Sequence, residues 1–460
     1  MKLGGNETIG GLAGGSATGG NINLQNFTLT VTQTQDLTYA GVISGTGDLG
    51  GLTKAGANTL TLSGANTYSG TTTITNGGIT TVGVERIADA SDVTMAAAGV
   101  FTIGGNEKIN TLTGVGTCSI VLGNSTLTVD QDANVTFEGV ISGNADTGGL
   151  TIDANSAGTL YLGGNNTYTG LTTINGKLRT TQAERIADAS DVTMAATGVF
   201  TLDGNEKINT LTGVGACSIV LGNSTLTVDQ DGAATFAGVI SGTAGTGGLT
   251  IDAGSSAALT LSGINTYTGA TTVNARTLSF NAINTGISAV TANNAGTKIA
   301  GTGTIPGAVT MNAGTILAPG VSDGTEVGIL RIDGALTFNG ASKYVITMTG
   351  GAIDKIVAGA ALTANGSVPT VEFQAGYDHS ALGIPATIME IAGAYTAFTS
   401  ALPAGYVIDG AKVGSLICLT AVPAAIPTLN EWGIIIMLLL LAGAGILVMR
   451  KRQRSASIAA

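Results

Sequence analysis

The residues closest to chemistry are two pairs of aspartates, Asp130/Asp132 and their copies Asp229/Asp231. Glycoside hydrolysis needs two carboxylates at a defined separation, one of them with a raised pKa. An i, i+2 spacing puts both acids of a pair on one side of an extended strand. Two facts weigh against catalysis: each pair is duplicated along with its surroundings, and no Arg or Lys cluster accompanies it. Solvated turn residues are the plainer reading. Weak calcium binding stands between the two, without the Gly-Gly-x-Gly-x-Asp nonapeptide that would support it. Outside the duplicated region, Asp354 and Glu372 are the acids an enzyme would have to use. The single histidine, His379, sits in Gly376-Tyr377-Asp378-His379-Ser380 without a second ligand or a placed nucleophile, which describes a surface loop. Tyr68, Tyr168 and Tyr267 could form a row that stacks on sugars, but their wide spacing favours packing at a corner of the fold. The expectation is no catalytic residue, no metal and no cofactor.

The elements that carry these residues are copies of one another. Glu85-Arg86-Ile87-Ala88-Asp89-Ala90-Ser91-Asp92-Val93-Thr94-Met95 recurs unchanged from Glu184 to Met194, an offset of 99. Leu122 to Asp132 recurs as Leu221 to Asp231 at the same offset, and Asn-Thr-Tyr-Ser/Thr-Gly occurs at 66–70, 166–170 and 265–269. Residues 4 to about 279 hold nearly three copies. Within a copy run short alternating stretches: Ser119–Leu122, Thr126–Val129, Val135–Phe137, Leu150–Ile152 and Thr159–Leu162. All are bounded by Gly, Asn, Asp or Ser, the pattern of strands rather than of a 3.6-residue helix. Strands this short bury a face only by stacking, and roughly 20 residues per turn falls in the range of a β-solenoid. The expected fold is all-β: a right-handed parallel β-helix built from ~99-residue tandem units, followed by one C-terminal transmembrane helix.

Composition supports this and narrows the partners. The chain has 72 Gly and only 10% charged residues, with a net charge of −11. Four basic residues lie at 450–454, so residues 1–449 carry 14 basic against 29 acidic residues. A body of that sign repels nucleic acid, and no basic patch with interleaved aromatics is present. Three cysteines make no disulfide framework. Cys118 and Cys217 are repeat equivalents; four or five coils at ~4.8 Å place them about 20 Å apart, beyond the roughly 7 Å that a disulfide spans. Both read as small buried apolar residues.

The segment Gly51 to Thr72, GLTKAGANTLTLSGANTYSGTT, resembles the autotransporter-associated β-strand repeat, also called the passenger-associated transport repeat, and does so again near 148–173 and 247–272. The resemblance implies a secreted β-helix stalk of a Gram-negative bacterium. Such passengers usually continue into a translocator barrel of many ten-residue amphipathic strands, and no stretch here has room for one.

At the C-terminus, Gly433 to Met449 is a run of 17 residues without a charge, preceded by Trp432 and followed by Arg450, Lys451, Arg452 and Arg454. That is a short membrane-spanning helix with an interfacial aromatic and a cytoplasmic basic stop. Ile426-Pro427-Thr428-Leu429-Asn430-Glu431-Trp432-Gly433 resembles the IPTL-CTERM sorting signal at Ile426, Pro427, Thr428, Leu429, Trp432 and Gly433. The resemblance implies recognition by an exosortase-type membrane enzyme and transfer to the cell surface or exopolysaccharide matrix. No apolar leader follows Met1, and Gly4-Gly5-Asn6-Glu7 matches Gly104 to Glu107, so the start is expected to be internal to a longer gene.

The expected organisation is tandem solenoid repeats at 1–279, degenerate coils at 280–345 and terminal coils with a cap at 346–421. A sorting motif at 422–433, a transmembrane helix at 434–449 and a basic cytoplasmic tail at 450–460 follow. The expected function is a non-enzymatic, structural or adhesin-like surface protein of the envelope or biofilm matrix. It would pass through the inner membrane during sorting, with its N-terminal body outside the cytoplasm. Its expected partners are the sorting enzyme, the lipid bilayer and extracellular polysaccharide. The alternative is a carbohydrate-active β-helix enzyme, a lyase or glycosidase, delivered by the same signal.

Overall fold

A computed structural model describes residues 1–365 apart from 244, 321–326 and 350–351. Beyond residue 365 it describes only the strands Thr370–Phe373, Ala386–Ile391, Thr399–Ala401, Tyr406–Asp409 and Leu416–Ala421. The chain winds into a right-handed parallel β-solenoid of about 15 turns. A short 3₁₀ turn at Gly47–Leu49 interrupts the strands.

Each coil has three faces. One coil runs through Leu52–Ala55 on the first face, Thr59–Leu62 on the second and the Asn66 corner on the third. Strands then stack in register on the next coil: Leu52 opposite Thr72, Thr72 opposite Val93, Val93 opposite Leu112. Coil length is not fixed: 18 residues separate Thr159 from Lys177 and 27 separate Thr310 from Thr337, the excess being taken up in the corners. The expected strands are present nearly to the residue, as at Ser119–Val121, Thr126–Val129, Gly149–Ile152 and Thr159–Leu162.

Alternation makes the core. In Thr126–Val129, Leu127 and Val129 are fully buried while the two threonines are half-exposed. Each such leucine stacks on its counterparts above and below, as Leu127 does between Glu107 and Leu150. Burying one contributes about 1.5–3 kcal/mol. The turns of the core are tight enough to demand glycine where corners stack. A Cβ on Gly164 would overlap the carbonyl oxygen of Gly139, and one on Gly263 that of Gly238.

The 99-residue unit and the coil do not share a period. Thr126–Val129 belongs to the 14-stranded sheet on the third face, whereas its copy Thr225–Val228 lies in the 8-stranded sheet on the second face. One unit therefore spans about four and two-thirds coils, or about 22 Å of shaft at ~4.8 Å per coil. Equivalent side chains emerge a third of a turn apart around the axis.

The terminal strands depart from the parallel rule. Ala386–Ile391 and Tyr406–Asp409 both pair antiparallel with Leu416–Ala421.

Candidate functional site

Where the chain leaves the strand conformation, polar side chains take over the hydrogen bonding between coils. Asn66 Oδ1 accepts from Ile43 N at 2.8 Å, and its Nδ2 donates to Arg86 O at 2.6 Å. One coil further on, Glu107 reaches back. Its Oε1 accepts from Ile87 N at 2.6 Å and its Oε2 from Arg86 N at 3.1 Å. The Glu-Arg-Ile excursion begins at Glu85, which adopts a left-handed φ of 51°, and the asparagine and the glutamate bridge the gap it leaves in the ladder.

The second copy repeats this column. Asn166 links Ile141 N (2.7 Å) to Arg185 O (2.7 Å), and Glu206 accepts from Ile186 N (2.8 Å) and Arg185 N (3.1 Å). In the third copy Asn265 accepts from Ile240 N at 2.9 Å and donates to Asn284 Oδ1 at 3.0 Å, and no glutamate follows. Burial pushes the Glu107 carboxyl up to about 7 and Glu206 up to about 8, against the opposing pull of the two amide donors on each. Neither glutamate features among the acids that sequence reasoning selects. The available signal is the two-residue period: Ile109 points inward, so Glu107 on the same strand does too.

Beside this column lies a cleft of about 520 Å³ lined by Asp89, Asp92, Lys108, Asn110, Asp130 and Asp132. Its copy, of about 570 Å³, is lined by Asp188, Asp191, Lys207, Asn209, Asp229 and Asp231. The paired aspartates therefore do meet, just past the ends of their strands. Lys108 Nζ lies 3.3 Å from Asp130 and 2.9 Å from Asp153, tying three successive coils together. Lys207 lies 3.4 Å from Asp229 and 3.1 Å from Asp252. The amide of Asn155 and, second, the lysine hold Asp153 below the usual carboxylate range. The amide of Gly254 leads the same effect at Asp252. Asp92 Oδ1 accepts from Asn110 Nδ2 at 3.0 Å and Thr111 N at 3.1 Å. Asp92 and Asp130, like their copies Asp191 and Asp229, thus hold coils together, and the described residues contain no group of three or more His, Cys, Asp or Glu placed to hold a metal.

The tyrosine row is internal. Tyr68, Tyr168 and Tyr267 are fully buried, and their hydroxyls hydrogen-bond Thr72, Thr172 and Thr271 at 2.8, 2.9 and 2.6 Å. This rules out the sugar-stacking alternative for them. Burial raises all three phenols. Cys118 and Cys217 are buried free thiols, pushed up by the same cause. Asp354 is buried and accepts from Gly328 N and Thr347 N, both at 2.7 Å. Burial brings its carboxyl up to about 6. It is a third internal staple of the Glu107 kind, enclosed rather than presented to a substrate.

Glu372 lies on the strand Thr370–Phe373, its side chain outside the described residues. His379 lies outside them too. So do the sorting-motif residues Ile426, Pro427, Thr428, Leu429, Trp432 and Gly433, the helix expected at 434–449, and Arg450, Lys451, Arg452 and Arg454. No helix among the described residues is long and apolar enough to cross a membrane.

Comparison with known families places both parts of the chain. The model of the passenger-associated-transport repeat matches residues 52–81, 155–176 and 256–280, over the three copies of the Asn-Thr-Tyr element. The model of the IPTL-CTERM motif matches residues 424–454. No curated protein and no solved structure matches the chain.

Proposed function

We propose that this chain, which carries passenger-associated-transport repeats and an IPTL-CTERM motif, is a surface-displayed structural or adhesin-like shaft. The observation that carries the reading is the union of the two parts in one chain. A continuous solenoid occupies the N-terminal three quarters, and a sorting signal follows at residues 424–454.

The geometry suits a load-bearing role. Among the described residues each interior coil pairs through its backbone with the coils before and after it, and the irregular corners are closed by Asn66, Glu107 and their copies. In each cleft one acid, Asp130 or Asp229, shares its lysine with Asp153 or Asp252 across three coils, which favours a structural reading of that acid over a general acid or base.

In this reading the motif Ile426 to Gly433 presents an extended segment at the membrane face, because Pro427 removes a backbone donor and disfavours helix in the residue before it. An exosortase-type membrane enzyme recognises it there. The apolar run 434–449 spans the inner membrane, with Arg450, Lys451, Arg452 and Arg454 on the cytoplasmic side. The body lies outside the cytoplasm and is delivered to the surface or the matrix, where extracellular polysaccharide is its partner.

The test compares the native chain with a variant ending at residue 423 and with Pro427→Ala/Trp432→Ala, using protease shaving of intact cells. Surface copies are expected to disappear in the truncation and to fall sharply in the double variant. Undiminished surface display of the truncated chain would overturn the proposal.

A further inference from the structure

The outward side of the second face carries a single file of threonines. Thr227, Thr250, Thr272, Thr291, Thr310, Thr337 and Thr363 stand directly opposite one another on successive coils. All are half-exposed or exposed, and among the described residues none of their hydroxyls is engaged in a hydrogen bond.

Their neighbours keep the file level. Two residues before each of the middle threonines stands a small residue: Gly248, Ala270, Ala289 and Ala308. Two residues after stands an asparagine file, Asn274, Asn293, Asn312, Asn339 and Asn365. From Asn293 on, each amide nitrogen donates to the side-chain oxygen one coil earlier, at 3.0, 2.7, 2.9 and 3.1 Å. The asparagines thus satisfy one another and hold the strip rigid.

The file also outlasts the repeat that contains its first members. The exact 99-residue copies end near residue 279, and the buried tyrosines, the Glu107-type column and the lysine ladders of that unit end with them. The threonines continue through Thr291, Thr310, Thr337 and Thr363. A feature inherited with the duplication would have faded at the same place.

We propose that this strip is an ice-binding surface, its ligand the oxygen lattice of ordered water. Parallel pairing sets the rungs ~4.8 Å apart, close to an oxygen repeat of hexagonal ice. Each threonine supplies a hydroxyl that can replace a lattice water and a methyl that leaves its neighbouring waters to bond each other. From Thr272 to Thr363 the strip is uncharged, on a chain of net charge −11. It matches a neutral hydrogen-bonding lattice and offers no counter-charge to a charged polymer. A protein partner would be expected to find aromatic or arginine anchors, and none stands in the file. The third face has an equivalent run, including Thr173, Thr193 and Thr212. There Leu171, 46% exposed, and Asp191 stand in the flanking positions and break the plane.

The experiment is ice-affinity partitioning of the full-length chain, in which a growing ice front engulfs or excludes protein. The native chain is expected to enter the ice several-fold over an inert globular control. Thr272→Lys/Thr291→Lys/Thr310→Lys is expected to fall to the control level, whereas Thr173→Lys/Thr193→Lys/Thr212→Lys partitions like the native chain. Should the first variant misfold by circular dichroism, Thr272→Ser/Thr291→Ser/Thr310→Ser keeps the hydroxyls and removes only methyls, and its capture is expected to drop. Exclusion of the native chain from ice overturns the proposal, as does equal loss in the two lysine variants or unchanged capture of the serine variant. Exclusion from ice with co-sedimentation on an insoluble neutral glycan would reassign the strip to polysaccharide.

Discussion

The shaft solves one problem in two ways. In the repeated part, residues 4–279, the chain makes excursions such as Glu85 to Asp92, and buried polar side chains bridge them: Asn66 and Glu107, Asn166 and Glu206. In the coils after residue 280 the glutamate staples and lysine ladders stop, and the asparagine file from Asn274 to Asn365 runs along an outer edge instead. Interior staples carry the cost of enclosing an ionisable group. Surface ladders do not, and each rung is correspondingly weaker. The first region should therefore be sensitive to pH and to single deletions, whereas in the second that sensitivity is confined to the buried Asp354 staple.

The largest expected effect is the removal of a staple. Glu107→Ala leaves two amide donors, the part-buried Arg86 N and the buried Ile87 N, without an acceptor, a loss of about 2–6 kcal/mol at about 1–3 kcal/mol per orphaned group. Because solenoid stability is local, the measurement is hydrogen exchange at those two amides. Protection as in the native chain would show that the staple holds nothing.

Next comes pH. The folded pKa of Glu107, about 7, lies above its usual 4.5, and Glu206 is raised to about 8. A raised carboxyl contributes stability that is fully present below the unfolded pKa and is lost as pH rises through the folded value. The Glu107 shift corresponds to about 3 kcal/mol. Thermal unfolding of the repeated part should move to lower temperature between pH 5 and pH 8, and Glu107→Gln/Glu206→Gln should flatten the slope. An unchanged slope in that variant would remove these groups as the cause. Asp153 and Asp252, lowered instead, act only at more acidic pH, where their contribution is lost as they are protonated.

Smaller still, Asn312→Ala removes two rungs of the ladder, those to Asn293 and Asn339. The expected cost is about 1–2 kcal/mol, with no pH dependence, read from hydrogen exchange in the coils around Thr310. A cost equal to that of Glu107→Ala would erase the contrast between the regions. Smallest is Lys108→Met. Its ion pairs are a fifth to a quarter exposed, so removal should cost under about 1 kcal/mol and lose its effect in high salt. A larger, salt-insensitive cost would make the cleft a buried network.

Strand existence was legible because it is local. Thr126–Val129 and Thr159–Leu162 show their two-residue period in the residues themselves. The C-terminal signal was legible for the same reason, as a contiguous motif, apolar run and basic stop. The rotation of equivalent features around the shaft was not, since coil length depends on how many residues each corner absorbs, and 18-residue and 27-residue coils look alike in sequence. Glu107 was passed over because a charged residue is ordinarily read as outward-facing, although its spacing from Ile109 says otherwise. Asp130 and Asp132 line one cleft, as their spacing suggests, but the lysine that pairs with Asp130 comes from a different coil. The threonine file is visible only once register is known.

The central claim is that the chain is a sorted surface shaft, and the mature C-terminus tests it most directly. Mass spectrometry of surface protein from intact cells should find chains that end upstream of the apolar run at 434–449. Recovery of every surface copy with the Arg450–Ala460 tail intact would contradict sorting and leave a plain membrane anchor.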